Sequence, residues 1–123
     1  LRLGKDHKEI NVVSDQYGSP TYTADLAPLL VEMIKTDKYG IYHATNEGVC
    51  SWAEFAEEIF KIANMDIKVN YIRTKDYQAK AKRPLNSRLS KFTLLNNKFL
   101  LLPNVEFSLK NFLKKIGVYN CIR

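Results

Sequence analysis

The segment DQYGSPTYTADLA, Asp15 to Ala27, decides how this chain is read. It sets Gly18, Ser19 and Pro20 in a turn and follows with Thr21, Tyr22 and Thr23. Leu26, Leu29, Leu30, Met33 and Ile34 then recur at helical spacing. Just upstream, EINVV (Glu9 to Val13) is short and β-branched and predicts a strand. The unit is therefore strand, polar turn, helix. Such a turn serves either as a helix start or as a ligand-facing surface, on which the backbone amides, the Gln16 amide and the Thr21 hydroxyl converge.

The helix can begin from Thr23 or Asp25 as N-cap. Pro28 favours the later start, where its missing N–H falls among donors without an intrahelical partner. Asp25 also suits the positive end of the helix dipole. Lys35, Lys38 and Gly40 close the helix.

Upstream, LRLG reads as the tail of a helix with Gly4 as terminator. Downstream, GIYHAT (Gly40 to Thr45) predicts a strand and NEG a turn. In SWAEFAEEIFKIA, Ser51 and Glu54 form a capping box. Trp52, Phe55, Ile59, Ile62 and Ala63 are expected on the buried face of that helix. MDIKVNYIR returns to an extended pattern, and a long polar segment runs from Thr74 to Ser90. Lys91 to Leu102 reads as a short helix with an apolar connector, and Val105 to Ile116 as an amphipathic helix ended by Gly117. Strands and helices mix, so the class is α/β or α+β.

At 123 residues, with 46% hydrophobic and 26% charged residues, one domain with a modest core is expected. No apolar run approaches the ~20 residues of a membrane span, and no membrane partner is expected. The charge is lopsided: residues 1–60 hold 5 basic and 10 acidic residues, whereas residues 61–123 hold 14 and 3. A basic second half suggests an anionic partner. Its basic residues are not interleaved with a stacking pattern of aromatics, which argues against nucleic acid. Cys50 and Cys121 lie far apart without a C-x-x-C, as a reduced, cytoplasmic protein would have them, with Cys50 semi-buried. His7 and His43 are isolated, so no metal site is expected.

The glycines at 4, 18, 40, 48 and 117 are too far apart for a dinucleotide or P-loop fingerprint. One Tyr-x-x-x-Lys pair exists, Tyr71 and Lys75, but on a strand four residues span about 13 Å, too far for the lysine to tune the tyrosine. No catalytic set is assembled from Ser, His, Cys and acidic residues. What remains is binding chemistry: Gln16, Gly18, Ser19, Pro20 and Thr21 in the turn, and AKRPLNSRLS (Ala81 to Ser90). In the latter, Arg83 is held extended by Pro84, and a guanidinium on a stiff segment suits phosphate oxygens. Asn86 and Ser87 add polar groups, with Leu85 and Leu89 available as anchors. The alternative is a surface turn with Arg83 in a salt bridge.

DQYGSPTYTADLA, then GIYHATNEGVCSWAEFA, then KRPLNSRLS, in this order, resemble the C-terminal portion of dTDP-4-dehydrorhamnose reductases, extended short-chain dehydrogenase/reductases. The resemblance covers essentially the whole chain. It implies that residues 1–123 are a substrate-binding portion with a small mixed sheet and several helices, the N-terminal Rossmann part lying outside the chain. It implies NADPH or NADH bound by that absent part, together with the catalytic Ser/Thr, Tyr and Lys. Some members use magnesium at a dimer contact, for which this chain offers no ligand set. The implied activity is reduction of dTDP-4-dehydro-L-rhamnose to dTDP-L-rhamnose, with a nucleotide sugar, the Rossmann part and a second subunit as partners. This chain alone is expected to be inactive and prone to self-association. Phe107, where members often carry Trp, is expected in the core. The alternatives are a non-catalytic regulatory subunit of the same fold and a basic nucleic-acid-binding module.

Overall fold

The computed structural model describes residues 1–79 and 81–118. In chain order its elements are α1 (Arg2–Asp6), β1 (Glu9–Val13), β2 (Tyr17–Gly18), α2 (Thr23–Met33), β3 (Asn46–Glu47) and β4 (Cys50–Ser51). They continue with α3 (Trp52–Ile62), β5 (Lys68–Ile72), a 3-10 turn (Thr74–Asp76), α4 (Phe92–Asn96), β6 (Leu102–Asn104) and α5 (Val105–Lys115). The strands pair as three separate two-stranded ladders: β1 with β5 in parallel, β2 with β4 antiparallel, and β3 with β6 in parallel. The expected α/β mixture is present, with its strands divided among ladders.

Leu29, Leu94, Phe99 and Leu102 form a buried cluster, with Leu26, Met33, Tyr42, Ala44 and Leu101 packed against it. The cluster fixes α2 against α4 and β6. The Tyr42 and Phe99 rings meet edge to face at 5.6 Å. Leu109 and Leu113 bury the inner face of α5, and the edge-to-face contact of Tyr22 with Phe112 at 5.8 Å docks that helix on the start of α2.

Ser51 caps α3 as its sequence predicts. Its hydroxyl accepts from Glu54 N at 3.2 Å while its own N–H donates to the Glu54 carboxylate at 2.6 Å. The expected face holds in part: Phe55, Ile59, Ile62 and Ala63 are half-buried, Ala53 and Phe60 are buried beside them, and Trp52 is 57% exposed. Phe107 is also exposed rather than in the core, because Ser108, Leu109 and Leu113 form the inward stripe of α5.

Three further expectations are corrected. Gly4 lies inside α1, where a Cβ would come within 2.7 Å of Phe60 Cε1 and 2.9 Å of Met65 Cε, so close packing rather than termination explains it. The helix α2 starts at Thr23 with Tyr22 as N-cap, which leaves Pro28 inside it. The missing bond would fall on Ala24, on an exposed stretch of the helix. Gly40 to Thr45 forms no strand. Tyr42 and Ala44 do turn inward while Ile41 and His43 turn out, but pairing begins only at Asn46.

Candidate functional site

The turn that opens the sequence argument is tied down at both ends. At its root, Ser14 N and Oγ both donate to the Ile72 carbonyl. Asp15 Oδ1 accepts from Thr74 N at 2.9 Å and from Thr74 Oγ at 2.6 Å. The Thr74 hydroxyl bond is the main reason the Asp15 carboxyl is held below the usual aspartate range. Gln16 Nε2 donates to the same Thr74 oxygen at 3.0 Å. At the far end, Ser19 Oγ donates to the Gly48 carbonyl at 2.6 Å, and Tyr22 N donates to Asn46 Oδ1 at 2.7 Å. Thr21 Oγ reaches back to the Ser19 carbonyl at 3.4 Å. The side-chain donors expected to face a ligand are thus engaged within the protein, and they stiffen the turn.

The second segment docks on the first. Tyr17 N donates to the Leu85 carbonyl and Ser87 N donates to the Tyr17 carbonyl, both at 2.8 Å, so Tyr17 and Asn86 form a parallel bridge. A Cβ at Gly18 would lie 3.7 Å from Ser87 Cβ. The turn and the arginine loop therefore share one face. Leu85 and Leu89 are exposed, so the backbone bonds to Tyr17 hold the loop instead of the expected apolar anchors. Arg83 is exposed and makes no ion pair among the described residues, which removes the salt-bridge alternative there. Asn86 Oδ1 accepts from Arg88 N at 3.1 Å and from Arg88 Nε at 2.9 Å, orienting a second guanidinium.

Arg88 was not singled out from the sequence, although Asn86 is a residue type that forms Asx turns to the backbone N–H two positions on. Asn46 was also missed beyond its place in a turn. The Ala81–Ser90 loop carries Lys82, Arg83 and Arg88 and no carboxylate, a composition that suits an anion. The face is an open surface. Two hollows lie elsewhere, one lined by Leu3, Ile10, Ala56 and Phe60, the other by Glu54, Glu58, Lys61 and Met65.

Acid–base and nucleophilic chemistry find little support in the described residues. Tyr71 lies on β5 and donates to Glu57 Oε2 at 2.6 Å; that bond, with some burial, pushes its pKa up to about 12. A proton-donating tyrosine tuned by a lysine needs the opposite shift. Cys50 is half-buried as expected, and burial, with Glu54 adding to it, raises its thiol pKa, which disfavours the nucleophilic thiolate. Cys121 lies outside the described residues. Among those residues no group of three or more His, Cys, Asp or Glu is placed to hold a metal ion, and no helix is long and apolar enough to cross a membrane.

Fold and surface together define an α/β lobe that presents two exposed guanidinium groups beside the Gln16–Thr21 segment and carries no dinucleotide fingerprint among its glycines. The chain belongs to the family described as the RmlD substrate binding domain, which matches residues 1–118. It is 45% identical to a crystallised dTDP-4-dehydrorhamnose reductase from Bacillus anthracis in complex with NADP, with a TM-score of 0.86 over 93% of this chain and 40% of that one. Against the Clostridium acetobutylicum reductase structure it is 38% identical, with a TM-score of 0.91 over 94% of this chain and 41% of that one. It is 44% identical over 101 residues to dTDP-4-dehydrorhamnose reductase from Aggregatibacter actinomycetemcomitans, covering 72% of this chain and 34% of the relative. The spore coat polysaccharide biosynthesis protein SpsK of Bacillus subtilis is 42% identical over 90 residues, 73% of this chain and 31% of that protein. The chain thus spans about a third of the length of these curated relatives.

Proposed function

We propose that this chain is the substrate-binding part of an NAD(P)H-dependent dTDP-4-dehydrorhamnose reductase acting in cytoplasmic dTDP-rhamnose synthesis for cell-surface polysaccharide. The turn formed by Gln16, Gly18, Ser19, Pro20 and Thr21 forms one wall of the nucleotide-sugar site. Arg83, with Asn86 and Ser87, binds or orients the diphosphate. The observation that carries this reading is the pair of backbone bonds joining Tyr17 to Leu85 and Ser87, which sets the stiff turn beside two exposed guanidinium groups. The relatives' names supply the substrate class.

In the reaction, the 4-keto carbon takes a hydride and its oxygen a proton, both delivered from the part of the protein outside this chain. NADPH or NADH is the proposed hydride source, in keeping with the NADP complex of the Bacillus anthracis relative. No group of three or more His, Cys, Asp or Glu among the described residues is placed to hold magnesium, and no ligand for it is proposed in this chain. The Rossmann part and a second subunit are the proposed protein partners. The exposed side chains of Ile34, Tyr39, Ile41, Phe92 and Leu100 supply apolar surface for such contacts. The test joins the chain to its upstream sequence and follows NADPH oxidation with dTDP-4-dehydrorhamnose. Turnover supports the reading, and a well-folded full-length protein without turnover rejects it.

A further inference from the structure

The turn Asn46–Glu47–Gly48 touches both ligand-facing segments at once. Asn46 is fully buried, and every polar atom of its side chain is used. Its Oδ1 accepts from Tyr22 N, the first residue past the Gln16–Thr21 turn. Its two amide hydrogens are shared among Asp25 Oδ2 at 2.7 Å, the Pro103 carbonyl at 2.8 Å and Ser108 Oγ at 2.8 Å. Ser108 in turn donates to Asp25 Oδ2. This fixes the amide's orientation, because a backbone N–H needs an acceptor facing it and a carboxylate and a carbonyl need donors.

Three further bonds leave the same turn. The Asn46 carbonyl accepts from Lys91 Nζ at 3.1 Å, and Glu47 Oε1 meets that ammonium at 2.6 Å. Lys91 closes the Ala81–Ser90 loop, and its side chain is only 13% exposed. The Gly48 carbonyl receives the Ser19 hydroxyl. Gly48 itself has φ +97°, and a Cβ there would sit 3.2 Å from Asn104 Nδ2, so the position requires glycine.

We propose that Asn46 is a positioning residue: its side chain fixes the far end of the Gln16–Thr21 turn, while its carbonyl, with Glu47, fixes the end of the arginine loop. The spacing between the two ligand-facing segments is thereby set from beneath. This inference rests on the nucleotide-sugar reading above. An aspartate at 46 keeps the acceptor for Tyr22 but turns carboxylate oxygen toward Asp25 and the Pro103 carbonyl, so the hub is pushed apart while its shape is kept.

The test uses the full-length protein and dTDP as probe, read by calorimetry beside thermal unfolding. Asn46→Asp should weaken dTDP binding at least tenfold. The double variant Asn46→Asp with Asp25→Asn, which restores one amide–carboxylate pair, should recover at least threefold of that loss. A lowered melting temperature with unchanged dTDP affinity in Asn46→Asp overturns the inference and leaves the functional reading standing. Wild-type protein that turns over dTDP-4-dehydrorhamnose but binds dTDP without involving either segment also overturns it. Absence of both turnover and dTDP binding in the wild type rejects the functional reading itself, and this inference with it. Should Asn46→Asp fail to fold, Lys91→Met probes the other end in ligand-free protein. Amide exchange at Ser87 and Tyr17 should accelerate at least fivefold, and unchanged exchange there overturns the inference.

Discussion

Replacing Ser87 with proline isolates the contact on which the shared face depends. Among the described residues, two backbone bonds join the Ala81–Ser90 loop to the turn: Tyr17 N to the Leu85 carbonyl, and Ser87 N to the Tyr17 carbonyl. Proline removes the second donor and keeps Asn86 extended, as the parallel bridge requires. A backbone hydrogen bond contributes about 1 kcal/mol net, which is roughly fivefold in the docked population of an otherwise exposed loop. Tyr17 is half exposed, so its carbonyl can turn to water and global stability should fall by no more than about 1 kcal/mol. Ser87→Ala is the control, because it keeps the N–H and removes only the hydroxyl. Calorimetric titration of the full-length protein with dTDP should show about fivefold weaker binding for Ser87→Pro than for Ser87→Ala. Amide exchange at Tyr17 should rise in the proline variant alone. Equal affinities for the two variants, with the proline protein folded, would refute the claim that loop docking organises the binding face.

Other expectations concern single groups. Thr45 Oγ is buried with no hydrogen-bond partner among the described residues, so Thr45→Val should raise stability by about 1 kcal/mol in urea unfolding; a loss would mean the hydroxyl is bonded to water. Asp15, held below the ordinary aspartate range by Thr74, favours folding above the unfolded-state pKa near 4 and loses that contribution as pH falls through its lower folded value. Thr74→Val should return the Asp15 pKa toward the ordinary value in a carboxylate NMR titration, and an unmoved pKa would contradict the assigned cause. Tyr71, with its pKa near 12, contributes fully below about pH 10 and loses that contribution between pH 10 and 12. Glu57→Gln should bring its phenolate absorbance transition down toward pH 10, and a transition that stays put would remove the Glu57 bond as the cause.

Local chemistry made much of this architecture readable from the chain. The Ser51/Glu54 box and the β-branched Glu9–Val13 strand are set by neighbours within a few residues, and the structure contains them, whereas the stretch read as a turn before α2 holds strand β2, whose partner Cys50–Ser51 is distant in the chain. Distant contacts were less legible. Gly4 reads as a helix terminator, but its absent side chain makes room for Phe60 and Met65, far along the chain. The alternation in Gly40–Thr45 reports which side chains turn inward and says nothing of whether a ladder partner exists. Asp25 sits in the first turn of α2, and its carboxylate also serves Asn46 and Ser108, 21 and 83 positions away. Polar residues that close a buried network look in sequence like ordinary turn formers, which is why Asn46 carried no signal. The proposed site residues fall in two motifs that the sequence shows. Their adjacency depends on backbone bonds at Tyr17 that no spacing rule announces.

The central claim is that one face of this lobe holds the nucleotide-sugar diphosphate. A crystal structure of the full-length protein with dTDP-L-rhamnose tests it most directly. The diphosphate should lie within hydrogen-bond reach of the Arg83 or Arg88 guanidinium and against the Gln16–Thr21 turn. A well-defined ligand bound elsewhere, with both arginines in solvent and the turn untouched, would contradict the account.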